Sequence, residues 1–250
     1  MWCQNDTLSS TQGFRGMKSK PQVAEVPPVN FRTRTGQARR ARTRARILSA
    51  AFALFDKRGV DQVTVEDVRD QAGLARGSFY NYFVTYEEML KALAADIARQ
   101  INIEQSERFE SLPNRAERIW SFVRYGILRV ASDRPCSQIL VRITPVVGPL
   151  NETMRVHAER ELRSAIKQKV FDVPSAGVAL DLGYGLATMM LQRALNAPLS
   201  TKEIEAAGLM FLRAHAVPEV EARRISRLPL PQLPDLPLRT AIINNFATDD

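Results

Sequence analysis

Apolar positions along the chain recur mostly at helical spacing, and polar capping residues mark where each run begins. From Thr43 onward, Ile47, Ala50, Ala51, Leu54 and Phe55 draw a single apolar face. Lys57 and Arg58 suit the carboxyl end of that helix dipole, and Gly59 predicts a left-handed cap. Thr64-Val65-Glu66-Asp67 predicts a second helix capped by the Thr64 hydroxyl, with Val65, Val68 and Ala72 facing inward. Gly73 breaks the run, and a third, short helix is expected from near Ala75 to about Tyr82. Three short helices with a glycine between the last two describe a helix-turn-helix unit.

The pattern continues in longer periods. Thr85-Tyr86-Glu87-Glu88 reads as a capping box opening a helix to about Glu110, with Leu90, Leu93, Ile97 and Ile101 inward. Pro113-Asn114 restarts a helix to Asp133 with the stripe Trp120, Val123, Ile127 and Val130, closed by Arg134-Pro135. A short apolar helix from Ser137 to about Ile143 and a charged one from Asn151 to Val170 follow. Ser175–Leu195 is apolar around nearly its whole girth, and Ser200 caps a helix reaching Ala214. No hairpin signal and no fixed repeat is present. The expected fold class is all-α, an N-terminal three-helix helix-turn-helix domain plus a C-terminal helical bundle. The expected organisation is a disordered arm over 1–40, the helix-turn-helix domain over 41–88, the bundle over 89–217, and over 218–250 a Pro-rich tail, irregular or laid as a strap on the body.

Charge sharpens this picture. The chain carries a formal net charge of +8. Residues 1–46 hold ten Lys or Arg against two acids, so the whole excess sits in the amino-terminal arm and the remainder is neutral. A sequence-independent grip on phosphates requires that distribution, although a solvated tail would show it too. Cys3 and Cys136 lie far apart, with no zinc spacing and no disulfide framework. No apolar run reaches the roughly 18 residues of a membrane span, and the first thirty residues lack a secretory apolar block. A cytoplasmic protein with no membrane contact is the expectation. Met17 offers a plausible alternative start.

The stretch Leu74-Ala75-Arg76-Gly77-Ser78-Phe79-Tyr80-Asn81-Tyr82-Phe83 places small, polar and aromatic side chains on a short segment just after the basic block. Groove reading needs such a segment. Together with Ile47-Leu48, Ala50-Ala51, Leu54-Phe55, Gly59, Thr64-Val65, Val68 and Ala72-Gly73, it resembles the TetR family of bacterial transcription regulators over about Arg42 to Leu90. Beyond Leu90 only helix number and length are similar. The resemblance implies that Arg76, Ser78 and Asn81 read base edges and that Tyr80 and Tyr82 orient the segment on phosphates. It implies that Thr64 adds a phosphate contact at a helix amino terminus, that Gly77 permits close approach, and that Arg39, Arg40, Arg42 and Arg44 reach backbone or minor groove. Ala75 stands where the family often has a capping Ser. Tyr86 stands where a phosphate-binding Lys is usual, and its phenol could still hydrogen-bond phosphate. Phe79 and Phe83 read as core.

Catalytic and metal chemistry find no support. His157 and His215 are the two histidines, and His157 lacks the second histidine of a zinc-protease helix. No nucleophile elbow or phosphate loop is present, and no cofactor is expected. Gly183-Tyr184-Gly185 reads as a close helix approach. Trp120, Phe122, Tyr125, Met154, Tyr184 and Met189 come from three helices and could line an apolar cavity for a small effector, with Arg124, Arg142 and His157 as orienting groups. The helices Ser175–Leu195 and Ser200–Ala214 could form a four-helix homodimer interface. Such a dimer would present two reading segments to a palindromic duplex, about 34–36 Å apart. The expected function is a DNA-binding transcription regulator, a repressor released when a ligand shifts the helix Tyr86–Glu110. The alternatives are a non-specific architectural DNA-binding protein, or a helical enzyme or carrier keeping a relic head.

Overall fold

A 28-residue helix, α1 (Phe31–Arg58), leads the described part of the chain. The computed structural model describes residues 31–147, 152–229 and 231–248. α1 begins twelve residues before the expected Thr43. Residues 31–40 are thus helical rather than disordered, a correction: Gln37-Ala38-Arg39-Arg40 favour helix and carry α1 back through Gly36 and the Thr-Arg repeat before it. Residues 1–30 of the expected arm lie outside the described residues. Gly59 ends α1 with its N–H on the Phe55 carbonyl at 2.8 Å. Its φ is positive at 80°, but ψ is extended at 157° rather than left-handed helical.

α2 (Val65–Gln71) is closed by a reciprocal capping box. The Thr64 hydroxyl accepts from the Asp67 N–H at 3.2 Å, and the Asp67 carboxylate accepts from the Thr64 N–H at 2.9 Å. The expected third helix is instead a turn running into a 3-10 segment, Phe79–Asn81. Gly77 explains the difference: its φ of +90° leaves the α-helical path. α3 (Tyr86–Phe109) starts at Thr85, whose hydroxyl accepts from Glu88 N–H at 3.0 Å. The Glu88 carboxylate takes the Val84 N–H at 2.6 Å, one residue earlier than a regular box.

The body continues with α4 (Arg115–Ala131), α5 (Arg134–Val147), α6 (Glu152–Lys167), α7 (Ala176–Ala194) and α8 (Thr201–Ala214). α5 opens at Arg134 and runs through Pro145. Pro135 falls in its first turn, where the missing N–H costs nothing. Ser200 caps α8 as the sequence predicts, in a full box with Glu203, and Ser175 caps α7 by accepting from the Val178 N–H. The tail is not irregular. It forms α9 (Glu219–Ser226), with acids in its first turn and arginines in its last, and α10 (Leu238–Thr248). Ten α-helices and no strand make up the described residues.

Two cores organise these helices. One joins α1, α2 and the 3-10 segment to the first half of α3, α5 and α10. The other lies at the far end of the body, among α4, α6, α7, α8 and α9. There the fully buried Trp120 indole lies against Gly208 of α8. A Cβ at Gly208 would come within 2.7 Å of two ring carbons. Alanine in mid-helix normally gains about 1 kcal/mol over glycine, but overpacking costs typically 1–3 kcal/mol. Gly208→Ala is therefore expected to lower the urea midpoint, by up to about 2 kcal/mol in stability; an unchanged or raised midpoint would show that the indole has room to yield.

Candidate nucleic-acid interface

The reading segment is built by turning two rings inward. Phe79 and Phe83 are 1% and 3% exposed, with centroids 5.8 Å apart, and are packed with Leu48, Phe52 and Phe55 of α1 in one core. The intervening residues are thereby pushed outward. Tyr80 is 56% exposed, its ring edge-on to Phe79, and Asn81, Arg76 and Gly77 are exposed beside it. Ser78 and Tyr82 are half-buried. Thr64, at the amino terminus of α2, is exposed on the same head. Its hydroxyl already serves the cap and also donates to Asp67 at 2.8 Å. The backbone N–H of Thr64 is the main cause that holds the Asp67 carboxyl below its usual value, with the Thr64 hydroxyl and Arg58 adding to it.

α1 braces this segment from behind. The Arg40 guanidinium donates to the Asn81 carbonyl at 3.1 Å and lies 5.5 Å over the Tyr82 ring. Arg44 lies 5.6 Å over Phe83 and 4.0 Å from Asp96. Both therefore act first on the head itself, which departs from the expected direct reach to DNA. Arg39 and Arg42 are exposed on α1. Tyr86 also departs from expectation. Its hydroxyl donates to the Val60 carbonyl at 2.8 Å, and burial raises its phenol well above the ordinary value. It belongs to the junction between head and body, not to the outer surface. Val84 was passed over in the sequence because an apolar residue after aromatics reads as core. It is 72% exposed beside the reading segment, and its backbone is pinned by Glu88.

The residues expected to line a ligand cavity divide. Trp120, Arg124 and Tyr125 are buried on α4, with Phe122 half-buried beside them. Phe109 stacks near both Phe122 and Tyr125, at 5.8 and 5.7 Å. The Tyr125 hydroxyl donates to Glu104 at 2.6 Å, and burial together with that bond pushes it up to about 12. Arg129, 1% exposed, pairs with the same carboxylate at 2.9 Å. Burial pushes Glu104 up, but the hydrogen bonds from Arg129, Gln100 and Tyr125 outweigh it and hold the carboxyl below its ordinary value. Arg124 donates to the Leu228 carbonyl at 2.7 Å. Tyr184 is half-buried against the distal core. Two expectations need correction. Met189 is 60% exposed on the outer face of α7, because the other side of that helix faces the core. Arg142 reaches the head: it pairs with Asp61, lies 4.0 Å from Glu87 and sits 6.0 Å over the Tyr86 ring. The side chains of Met154 and His157 lie outside the described residues. A surface groove of about 350 Å³ between α6 and α7 is lined by Glu159, Arg163 and Lys167 among others, and by none of the expected ligand residues.

A short outward-facing segment seated on two helices, joined to a separate helical body, defines the helix-turn-helix class of protein. Residues 47–93 match the family described as bacterial regulatory proteins, tetR family. The chain is 33% identical over 76 residues to the HTH-type transcriptional repressor KstR2 of Mycobacterium tuberculosis. That match covers 30% of this chain and only 38% of the repressor's length. It is 24% identical over 152 residues to the HTH-type transcriptional regulator BetI of Vibrio vulnificus, covering 54% of this chain and 75% of that one. A crystal structure of RolR in complex with resorcinol superimposes with a TM-score of 0.60 at 24% identity, over 78% of this chain and 98% of RolR. The likeness to the TetR family thus lies in the amino-terminal domain, residues 47–93. Among the described residues no helix is long and apolar enough to cross a membrane.

Removing the Arg40 side chain forfeits one hydrogen bond and one ring contact, together about 1 kcal/mol. Arg40→Ala is expected to speed hydrogen exchange at the amides of residues 79–83 about fivefold while α4 and α8 stay unchanged. Equal exchange in both proteins would mean that Arg40 does not hold the segment.

Proposed function

We propose that this chain is a sequence-specific DNA-binding transcription regulator, a repressor that works as a homodimer and leaves its operator when a small apolar ligand binds the body. It is not an enzyme in this reading. The observation that carries it is the division of the 79–83 stretch, with Phe79 and Phe83 sealed in the core while Tyr80 and Asn81 stand exposed beside Arg76. The names of the relatives support it, since KstR2 is a repressor and BetI a regulator. Arg76, Ser78 and Asn81 read base edges, with Arg on guanine and the amide on adenine. Tyr80, Tyr82, Thr64, Arg39 and Arg42 position the head on phosphates, and Val84 adds an apolar contact to a thymine methyl.

Self-pairing is supported by the outer face of α7. Val178, Leu182 and Met189 are 67%, 49% and 60% exposed, and their spacing sets them on one stripe, with Met210 of α8 at 71%. A large apolar stripe of this kind fits a second copy of the same helices. The effector would bind near the aromatic cluster of α4, Trp120, Phe122 and Tyr125, with Arg124 orienting it. The geometry supports a route to the head through α5, which touches α7 and clasps Asp61 and Tyr86 by Arg142. A ligand acts through this route only if it prefers the non-binding arrangement.

Selection of bound fragments from the source genome, in excess competitor DNA, tests the reading. A recurrent palindrome is expected, and Asn81→Ala should relax discrimination at one base pair of it by about 1–3 kcal/mol. Equal retention of all fragments with a steep salt slope would instead indicate an architectural binder. Leu182→Glu should yield a monomer in sedimentation; a variant still dimeric at micromolar concentration would put the pairing elsewhere.

A further inference from the structure

The last twenty residues of the described chain fold back over the length of the body to the head. After α9, the Leu228 carbonyl is held by Arg124 of α4 at 2.7 Å and the Gln232 carbonyl by Arg108 of α3 at 3.2 Å. α10 then settles where α1, α3 and α5 meet. Leu238 and Ile242 are 0% and 1% exposed, inside the same core as Ile47, Phe55, Leu90 and Leu93. Asn245 donates to Gln100 of α3 at 2.7 Å.

Arg239 makes the connection polar as well as apolar. Its backbone N–H donates to Asp133 at 3.0 Å, and its guanidinium lies 3.3 Å from the other oxygen of that carboxylate, whose side chain is fully buried. A second guanidinium nitrogen pairs with Asp56 of α1 at 3.2 Å. Asp133 belongs to the turn between α4 and α5, and Asp56 to the head. One arginine therefore ties three elements, and its planar fork is suited to two carboxylates at once in a way a lysine is not.

Two domains joined by a short junction move relative to one another unless a sizeable apolar contact holds them. Here α10, beside α5, supplies such a contact, and it is independent of the junction itself. We infer that the carboxy-terminal segment 231–248 is a brace that fixes the angle of the head on the body, with Arg239 as its positioning residue and Ile242 as its apolar anchor. The brace does not require the DNA reading, but its consequence does: a dimer with fixed heads accepts one half-site spacing, and a dimer with loosened heads accepts several.

The test uses the full chain carrying Cys3→Ser, with spin labels at Gln71→Cys in the head and Gln192→Cys in α7, both exposed, diluted into unlabelled protein. Wild-type α10 is expected to give one narrow intramolecular distance distribution. Ile242→Ala should broaden it at least twofold, and Asp56→Asn, a surface change that leaves Asp133 paired with Arg239, should broaden it measurably. Arg239→Lys should match Asp56→Asn rather than wild type. Unchanged widths in folded Ile242→Ala and Asp56→Asn would overturn the brace. In the second arm, variant operators with the half-sites one base pair closer or farther are compared. Wild type is expected to discriminate against them about tenfold and Ile242→Ala about threefold. A wild-type protein that selects no operator would refute the DNA reading and leave the distance measurement to decide the brace, whereas equal discrimination by both proteins would count against the brace.

Discussion

The inward seating of Phe79 and Phe83 is the constraint on which the head depends. Both rings sit four residues apart on a segment that makes barely more than one turn, and both are sealed against α1. Burying two phenylalanine side chains contributes several kcal/mol, about 1.5–3 each. No surface contact in the head rivals that. The choice of which side chains face out, Tyr80 and Asn81 among them, is a by-product of which face in. The Gly77 turn permits this arrangement without a regular helix, and Arg40 and Arg44 of α1 cover the segment from behind. The basic block thus has an internal use as well as an electrostatic one.

The body repeats the theme with charge in place of rings. Glu104 is claimed by Arg129, Tyr125 and Gln100 together, and so is compensated from several sides. A buried ion pair of this kind adds little net stability but is costly to break, because the survivor is left unpaired in a dry place. It fixes how α3 sits on α4. Arg142 and Arg239 fix how the head sits on that unit, the first through Asp61 and Tyr86, the second through Asp56. Motion of the body therefore reaches the head through α5 and α10 as well as through the start of α3.

Features with local causes were readable from the chain alone. The caps at Thr64, Thr85 and Ser200 are set within three residues, and the stripe Leu90, Leu93, Ile97 and Ile101 announces its own periodicity. The extent of α1 was missed because its first ten residues, basic and broken by Thr33, Thr35 and Gly36, carry no apolar stripe in the sequence and read as a tail. α10 was missed because Leu238, Ile242, Ile243 and Phe246, although helically spaced, follow four prolines, and the surface they need on α1, α3 and α5 is remote in the chain. Arg142 and Tyr86 looked free to meet a ligand or a phosphate. Their partners, Asp61 and the Val60 carbonyl, become neighbours only through the fold, and no spacing rule signals them. Met189 failed for the opposite reason: a helix apolar all round does not say which side a monomer leaves uncovered.

The most direct measurement compares Tyr80→Ala with Phe79→Ala, each followed by thermal unfolding and by binding to duplex DNA. Tyr80→Ala should melt within about 0.5 kcal/mol of the parent, as exposed substitutions do, yet bind DNA at least several-fold more weakly. Phe79→Ala should lose about 3–5 kcal/mol of stability and DNA binding with it. A Tyr80→Ala protein that binds DNA as tightly as the parent, or a Phe79→Ala protein that melts unchanged, would contradict the division of this segment into a buried and a reading face.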